Sequence, residues 1–241
     1  VLCGLHFHRL EFPLKVMGIG DSSAATKISV YAQEGKLALL MSDAVRTNDL
    51  PEWIEAADCP KFAGYGHPLY FSAKKAGRVS HSTSHAESLA AVGTTQVAQL
   101  LAMRLTEPFV TMLIGRQASA MDYVWHHEQL MPIIAVDHAT DCMDVFELVC
   151  GERGLTADKN QRIVIMALRE DRMRGHIRSF YHWPTGVMLA DGLTKVGHYY
   201  QLLHYCTTGF MAIDVGERWM RHRHHLQRKD YTEKDVVELK G

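Results

Sequence analysis

The segment Pro132-Ile133-Ile134-Ala135-Val136-Asp137 is apolar at consecutive positions and stops at an acid. A strand with one solvated face alternates apolar and polar residues, whereas one that is apolar throughout is covered on both faces. This run therefore demands a sheet with helices above and below it, and it constrains the fold more than any other stretch. Its neighbours agree. Three apolar runs precede it, at 14–21, at 36–41 after Gly35, and at 67–74, and each reads as a strand. Residues 42–66, with Pro51, Pro60, Gly64 and Gly66, read as a long loop insertion. Ser82-Thr83-Ser84 then offers helix caps, and Ser84 and Glu87 have capping-box spacing. Ala86, Leu89, Ala90, Gly93, Val97, Leu100 and Leu101 follow at helical intervals. Gly93 is the weak position of that stripe, because Gly costs about 1 kcal/mol relative to Ala inside a helix. Further helices are predicted over 143–149 and 158–173, a strand over 176–183, and a last helix near 189–191. Three strands, a helix, a strand, helices, a strand and a helix make a mixed α/β sheet.

Composition removes several alternatives. The formal net charge of the 241 residues is -1, so a uniformly basic nucleic-acid glove is excluded while a local basic face is not. The hydrophobic content of 47% is that of a chain with a core rather than a disordered one. No apolar run approaches the roughly 18 residues needed to span a bilayer, and the start Val1-Leu2-Cys3-Gly4 lacks a basic signal region. The expectation is an intracellular protein, cytoplasmic or nuclear, cut from something longer. Five cysteines, an odd number without a Cys-x-x-Cys pair, fit a reducing compartment. His126-His127 and Arg221-His222-Arg223-His224-His225 have no cysteine or carboxylate at zinc spacing, so no structural zinc is expected. Residues 197–241 read as a charged, His-rich C-terminal extension.

Four acids occupy informative places. Asp21 ends the first predicted strand, Asp137 the fourth, Glu87 lies in the first turn of the long helix, and Asp191 opens the last helix. In α/β sheets sites gather outside strand ends near a topological switch. Clustered carboxylates raise one another's pKa unless neutralised, and such oxygen ligands are how proteins hold magnesium. Two ions about 4 Å apart can clamp the attacking and leaving oxygens of a phosphodiester. The same acids also serve as turn residues, helix caps or dipole partners. Spacing by itself leaves both readings open.

Two motifs tip the balance. Arg78-Val79-Ser80-His81-Ser82-Thr83-Ser84-His85-Ala86-Glu87-Ser88-Leu89-Ala90-Ala91 and Leu189-Ala190-Asp191-Gly192-Leu193-Thr194-Lys195 resemble two signatures of the ribonuclease H domains of copia-type LTR retrotransposon Pol polyproteins. Ile134-Ala135-Val136-Asp137 resembles that family's strand ending in a catalytic Asp, and residues 14–21 its first strand. Asp43 competes with Asp21, and Asp21 is preferred because Gln33-Glu34-Gly35 then opens the second strand. The resemblance covers about residues 12–196. It implies a ribonuclease H-like fold: a five-stranded mixed sheet, order 3-2-1-4-5, flanked by helices. It implies an acidic tetrad of Asp21, Glu87, Asp137 and Asp191, serving as catalytic residues and as ligands to two Mg2+ ions, with Mn2+ as the alternative. The implied reaction is endonucleolytic cleavage of the RNA strand of an RNA–DNA hybrid, which removes the template during reverse transcription. The implied partner in the polyprotein is an upstream reverse transcriptase. Glu87 would be placed to sense the ribose 2′-hydroxyl. Lys74, Lys75, Arg78 and Lys195 are the candidate contacts to hybrid phosphates.

The chain departs from the family's pattern at four places, two of them being the long 42–66 insertion and the lack of a His between Thr185 and Ala190, where some ribonucleases H keep one. His138 follows the third acid where the family has Asn, and Asp158-Lys159-Asn160-Gln161-Arg162 replaces its Lys-His-Ile. Two rival readings go with these departures. One is a catalytically decayed module that only binds nucleic acid or partners. The other is a nuclease of the same fold that acts on DNA.

Overall fold

Val16, Met17 and Ile19 have essentially no solvent exposure, which places their strand at the centre of the molecule. In the computed structural model this strand, β1 (Leu14–Ser23), is flanked by β2 (Gln33–Ser42) and β4 (Ala135–Thr140). The structure describes residues 5–23, 32–43, 62–77, 79–80, 82–117, 119, 121–122, 133–151, 153–195, 197 and 199–213.

Between β2 and β4, the chain forms β3 (Phe62–Lys75) and the 32-residue helix α1 (Thr83–Ile114). After β4 come α2 (Met143–Cys150), α3 (Lys159–Met173), β5 (Ser179–His182), the short α4 (Asp191–Thr194), α5 (Tyr200–Thr208) and β6 (Phe210–Ile213). The sheet order is β5-β4-β1-β2-β3-β6. β1, β2 and β3 pair antiparallel, while β1, β4 and β5 run parallel. This is the ribonuclease H-like mixed sheet, order 3-2-1-4-5, with one strand more than the five expected.

The extra strand follows from what comes after residue 196. Residues 210–213 pair antiparallel with Phe62–Tyr65, the first residues of β3. β3 therefore starts inside the expected 42–66 loop and is 14 residues long. Tyr205 of α5 is buried and its hydroxyl donates to the carbonyl of Gly66, 2.5 Å away. The chain past 196 thus contributes to the sheet as far as residue 213. Residues 214–241, most of the expected extension, lie outside the described residues, as do residues 44–61.

Each face of β1 meets a different layer. Val16 packs with Ala98 and Ala102 of α1. Met17 and Ile19 pack with Trp183 and the run Val187, Met188, Leu189 and Ala190. The alternation is the strand's period of two, and it turns Asp21 to the same side as Met17 and Ile19. On that side Gly35, the register partner of Asp21 on β2, allows α4 to approach. A Cβ there would stand 2.7 Å from the Thr194 side chain and 3.0 Å from the Ala190 carbonyl.

β4 differs from the sequence expectation. It was expected to end at Asp137, and it continues through His138, Ala139 and Thr140, all fully buried. Asp137 is tolerated inside the strand because Lys15 and Arg178 reach its carboxylate. His138 is tolerated because its ring shares a hydrogen bond of 3.2 Å with Thr95 and stacks on Phe180. The N-terminal segment closes over the outer strands at the opposite flank. The His67 ring donates to the carbonyl of His8 (2.6 Å), and the His8 ring donates to the carbonyl of Thr208 (3.1 Å).

Candidate active site

Three carboxylates meet where β1 and β4 end and α4 begins. Asp21, Asp141 and Asp191 each bring an oxygen to within 4.8 Å of the other two. β1 and β4 are parallel and paired Ile19 to Ala139, so both strands deliver their last acids to one end of the sheet. Asp191 arrives from the other direction, carried on α4 against Gly35. Asp21 and Asp191 are almost fully buried.

Glu87 stands beside them. The helix cap is Ser82, whose hydroxyl accepts the His85 N–H, so Glu87 is not the capping-box partner of Ser84. Its carboxylate instead accepts the backbone N–H of Ser22, next to Asp21, at 3.2 Å. Burial, followed by the negative charges of Asp21 and Asp141, pushes its pKa up to about 9. Asp141 and Asp191 are raised by the same causes, desolvation first and then, among the charges that raise them, Asp21. These acids crowd one another more than the local cations relieve.

The cation within the cluster is Lys195. Its ammonium lies 2.6 Å from Asp191 Oδ1 and 3.5 Å from Asp21 Oδ1. The Thr194 hydroxyl donates to the other oxygen of Asp21. Lys195 therefore points into the acid cluster.

Asp137 does not join this group. It pairs with Met17, four residues before Asp21 on β1, which is roughly 13 Å back along the strand. There it is held by Lys15 at 3.4 Å and by Arg178, whose guanidinium also binds Asp43. The acid that takes its expected place is Asp141. A sequence signal for it existed: Asp141 stands two residues before α2, as Asp21 stands at the end of its own strand, and Asp137 does not.

Lys74 and Lys75 are exposed at the end of β3 and pair in register with Glu34 and Gln33 of β2. Those two β2 residues pair in turn with Ser22 and Ser23, so both lysines lie at the same end of the sheet as the acids. Arg78 lies outside the described residues.

The donor set is chemically suited to a hard divalent cation. It consists of carboxylate oxygens only, buried at Asp21 and Asp191 and half-buried at Asp141, mutually repelling and already drawn to a positive charge at Lys195. Among the described residues no helix is long and apolar enough to cross a membrane.

No family model matches the chain, and no curated protein matches its sequence. Among solved structures it is similar to LC11-RNase H1, isolated from compost by a metagenomic approach, at 12% identity over 74% of this chain and 91% of that one (TM-score 0.44). It is similar to RNase H1 of the halophilic archaeon Halobacterium salinarum NRC-1 at 14% identity, over 74% and 93% of the two chains (TM-score 0.39). It is also similar to the N-terminal RNase H domain of a Mycobacterium tuberculosis protein, at 13% identity over 79% and 98% (TM-score 0.41).

Proposed function

We propose that this chain is a divalent-metal-dependent endonuclease of ribonuclease H type, cutting the RNA strand of RNA–DNA hybrids. The observation that carries the reading is the convergence of Asp21, Asp141 and Asp191 to within 4.8 Å at the end of the two central parallel strands. In this reading Asp21, Asp141 and Asp191 hold Mg2+, or Mn2+ in its place, with Glu87 completing the acidic set. When bound there, the metal supplies Lewis-acid stabilisation to the phosphodiester and lowers the pKa of water. A pair of ions is the reading that the sequence motifs favour.

The protein's own groups do the rest. Burial of Asp21 and Asp191 excludes bulk water and strengthens the field at the cluster. Glu87, held by the Ser22 N–H, is the acid placed to meet a ribose 2′-hydroxyl, the group that separates RNA from DNA. Lys74 and Lys75 take phosphates of the hybrid and fix its register. Lys195 keeps the acids partly neutralised when no metal is present. The two motifs at 78–91 and 189–195 support an origin in a copia-type Pol polyprotein, acting inside the cell with an upstream reverse transcriptase to clear template RNA.

The test is a substrate panel of RNA–DNA hybrid, duplex DNA and duplex RNA, each with Mg2+, with Mn2+ and with chelator. Only the hybrid should be cut, only with metal, and Asp141→Asn should lower the rate by about a hundredfold or more. An uncut hybrid, or one cut equally well by Asp141→Asn, rejects the reading. Cleavage of duplex DNA would favour a DNA-acting nuclease, and metal-independent hybrid binding without cleavage a decayed module.

A further inference from the structure

Gln161 is the buried polar residue on the packed face of α3, where Val164, Ile165 and Leu168 make up the remainder. Its side-chain amide donates to the Ser84 hydroxyl at 2.7 Å and to the Ser88 hydroxyl at 3.3 Å. The Ser88 hydroxyl in turn donates to the Ser84 carbonyl at 2.7 Å. Ser84 and Ser88 are one helical turn apart on α1, and Glu87 lies between them in sequence. Beside this contact, the His85 ring lies 3.7 Å from Asp158, the residue whose carboxylate caps α3. The start of α1 is therefore gripped from two sides: by α3 through Ser84 and Ser88, and by β1 through Glu87 and the Ser22 N–H.

We infer that Gln161 is a positioning residue for Glu87, setting where the first turns of α1 sit and so how the Glu87 carboxyl meets the acid cluster. A buried primary amide is costly to desolvate and is satisfied here by the two serines. Replacing it by an apolar residue of similar size keeps α3 packed against α1 and removes the directional tie between them. Because Glu87 reaches the cluster from one end of a long helix, a small shift of that end moves its carboxyl by a comparable amount, and the hydrogen bond to Ser22 reports the shift directly. The consequence for metal binding rests on the acids forming a metal site, as proposed above.

The experiment compares the full chain with Gln161→Leu, Ser84→Ala/Ser88→Ala, and all three substitutions together. The first readout is hydrogen exchange at the Ser22 amide, the donor to Glu87. The second is Mn2+ affinity by calorimetry. Gln161→Leu should speed Ser22 exchange by about tenfold, the worth of one hydrogen bond, with β2 and β5 amides unchanged. The serine pair should reproduce this, and the triple variant should add nothing, since all three remove one interaction. The serine variant opens no large cavity and keeps a good helix former at both positions, but it takes both hydroxyl acceptors from the buried Gln161 amide, a cost that the triple variant removes. Unchanged Ser22 exchange, or a rise shared by the whole sheet, overturns the positioning role whatever the metal does. A selective Ser22 response in a chain that takes up no Mn2+ upholds the positioning role and rejects the metal site instead. Where Mn2+ does bind, its affinity should fall with the Ser22 protection.

Discussion

Arg178 clasps Asp137 with two hydrogen bonds, Nε to Oδ1 at 3.0 Å and Nη2 to Oδ2 at 2.6 Å. The same guanidinium binds both oxygens of Asp43, and Lys15 sits against both acids. Two cations and two anions thus tie β1, β2, β4 and the entry to β5 at the end of the sheet away from Asp21. Asp137 is fully buried while Arg178 keeps some solvent contact.

Asp137→Asn should therefore harm stability and spare metal binding. It leaves Lys15 and Arg178 short of a counter-charge, at a cost of about 2–3 kcal/mol, below the full penalty for a buried pair because Arg178 is partly hydrated. Asp141→Asn should do the reverse, removing a repelling carboxylate and abolishing the rise in Tm on adding Mg2+. Urea denaturation and thermal melts with and without Mg2+ check both. Loss of the Mg2+ response in Asp137→Asn at intact stability would return Asp137 to the site.

His138 supplies an acid-sensitive element. Desolvation lowers its pKa to about 3, from an ordinary 6.5. A folded-state pKa below the unfolded one gives stability that is present above pH 6.5 and is lost as the pH falls towards about 3. The loss should be on the order of 3 kcal/mol by about pH 4. His138→Gln cannot titrate, so its denaturation midpoint should fall less steeply across that window. Parallel slopes for the two proteins would assign the acid sensitivity elsewhere.

Gly93 should resist the usual helix repair. Gly→Ala inside a helix ordinarily gains about 1 kcal/mol. Here a Cβ would stand 2.2 Å from Lys36 Nζ, and Lys36 is buried beneath α1, paired with Glu34 at 3.1 Å. Moving the ammonium breaks that pair, so Gly93→Ala should cost about 1–3 kcal/mol. A stabilised variant in urea would show that Lys36 has room to retreat.

The layered sheet was readable from the chain because apolar runs and caps are local signals. β1, β2, α2 and α3 all lie where periodicity and breakers place them. The acids at 21, 87 and 191 were likewise visible, though only as candidates. Asp141 carried only a weak signal, its place just before α2, and Asp137 masked it because Asp137-His138 reads as the end of a strand when taken locally. Its place in the interior depends on Lys15, Thr95 and Arg178, none adjacent in sequence. The brace from Gln161 escaped for the same reason: a glutamine in a helix looks solvated until the partner helix shows its serines. β6 escaped because four residues carry too little pattern to announce pairing with a strand nearly 150 positions earlier.

The His67–His8–Thr208 chain of hydrogen bonds has a practical corollary. It brings the segment that enters the described fold alongside the one that leaves it, at a single corner beside β3. A fold whose way in and way out are neighbours can be spliced into a host polypeptide with little distortion of either, or relinked head to tail and reopened at another loop.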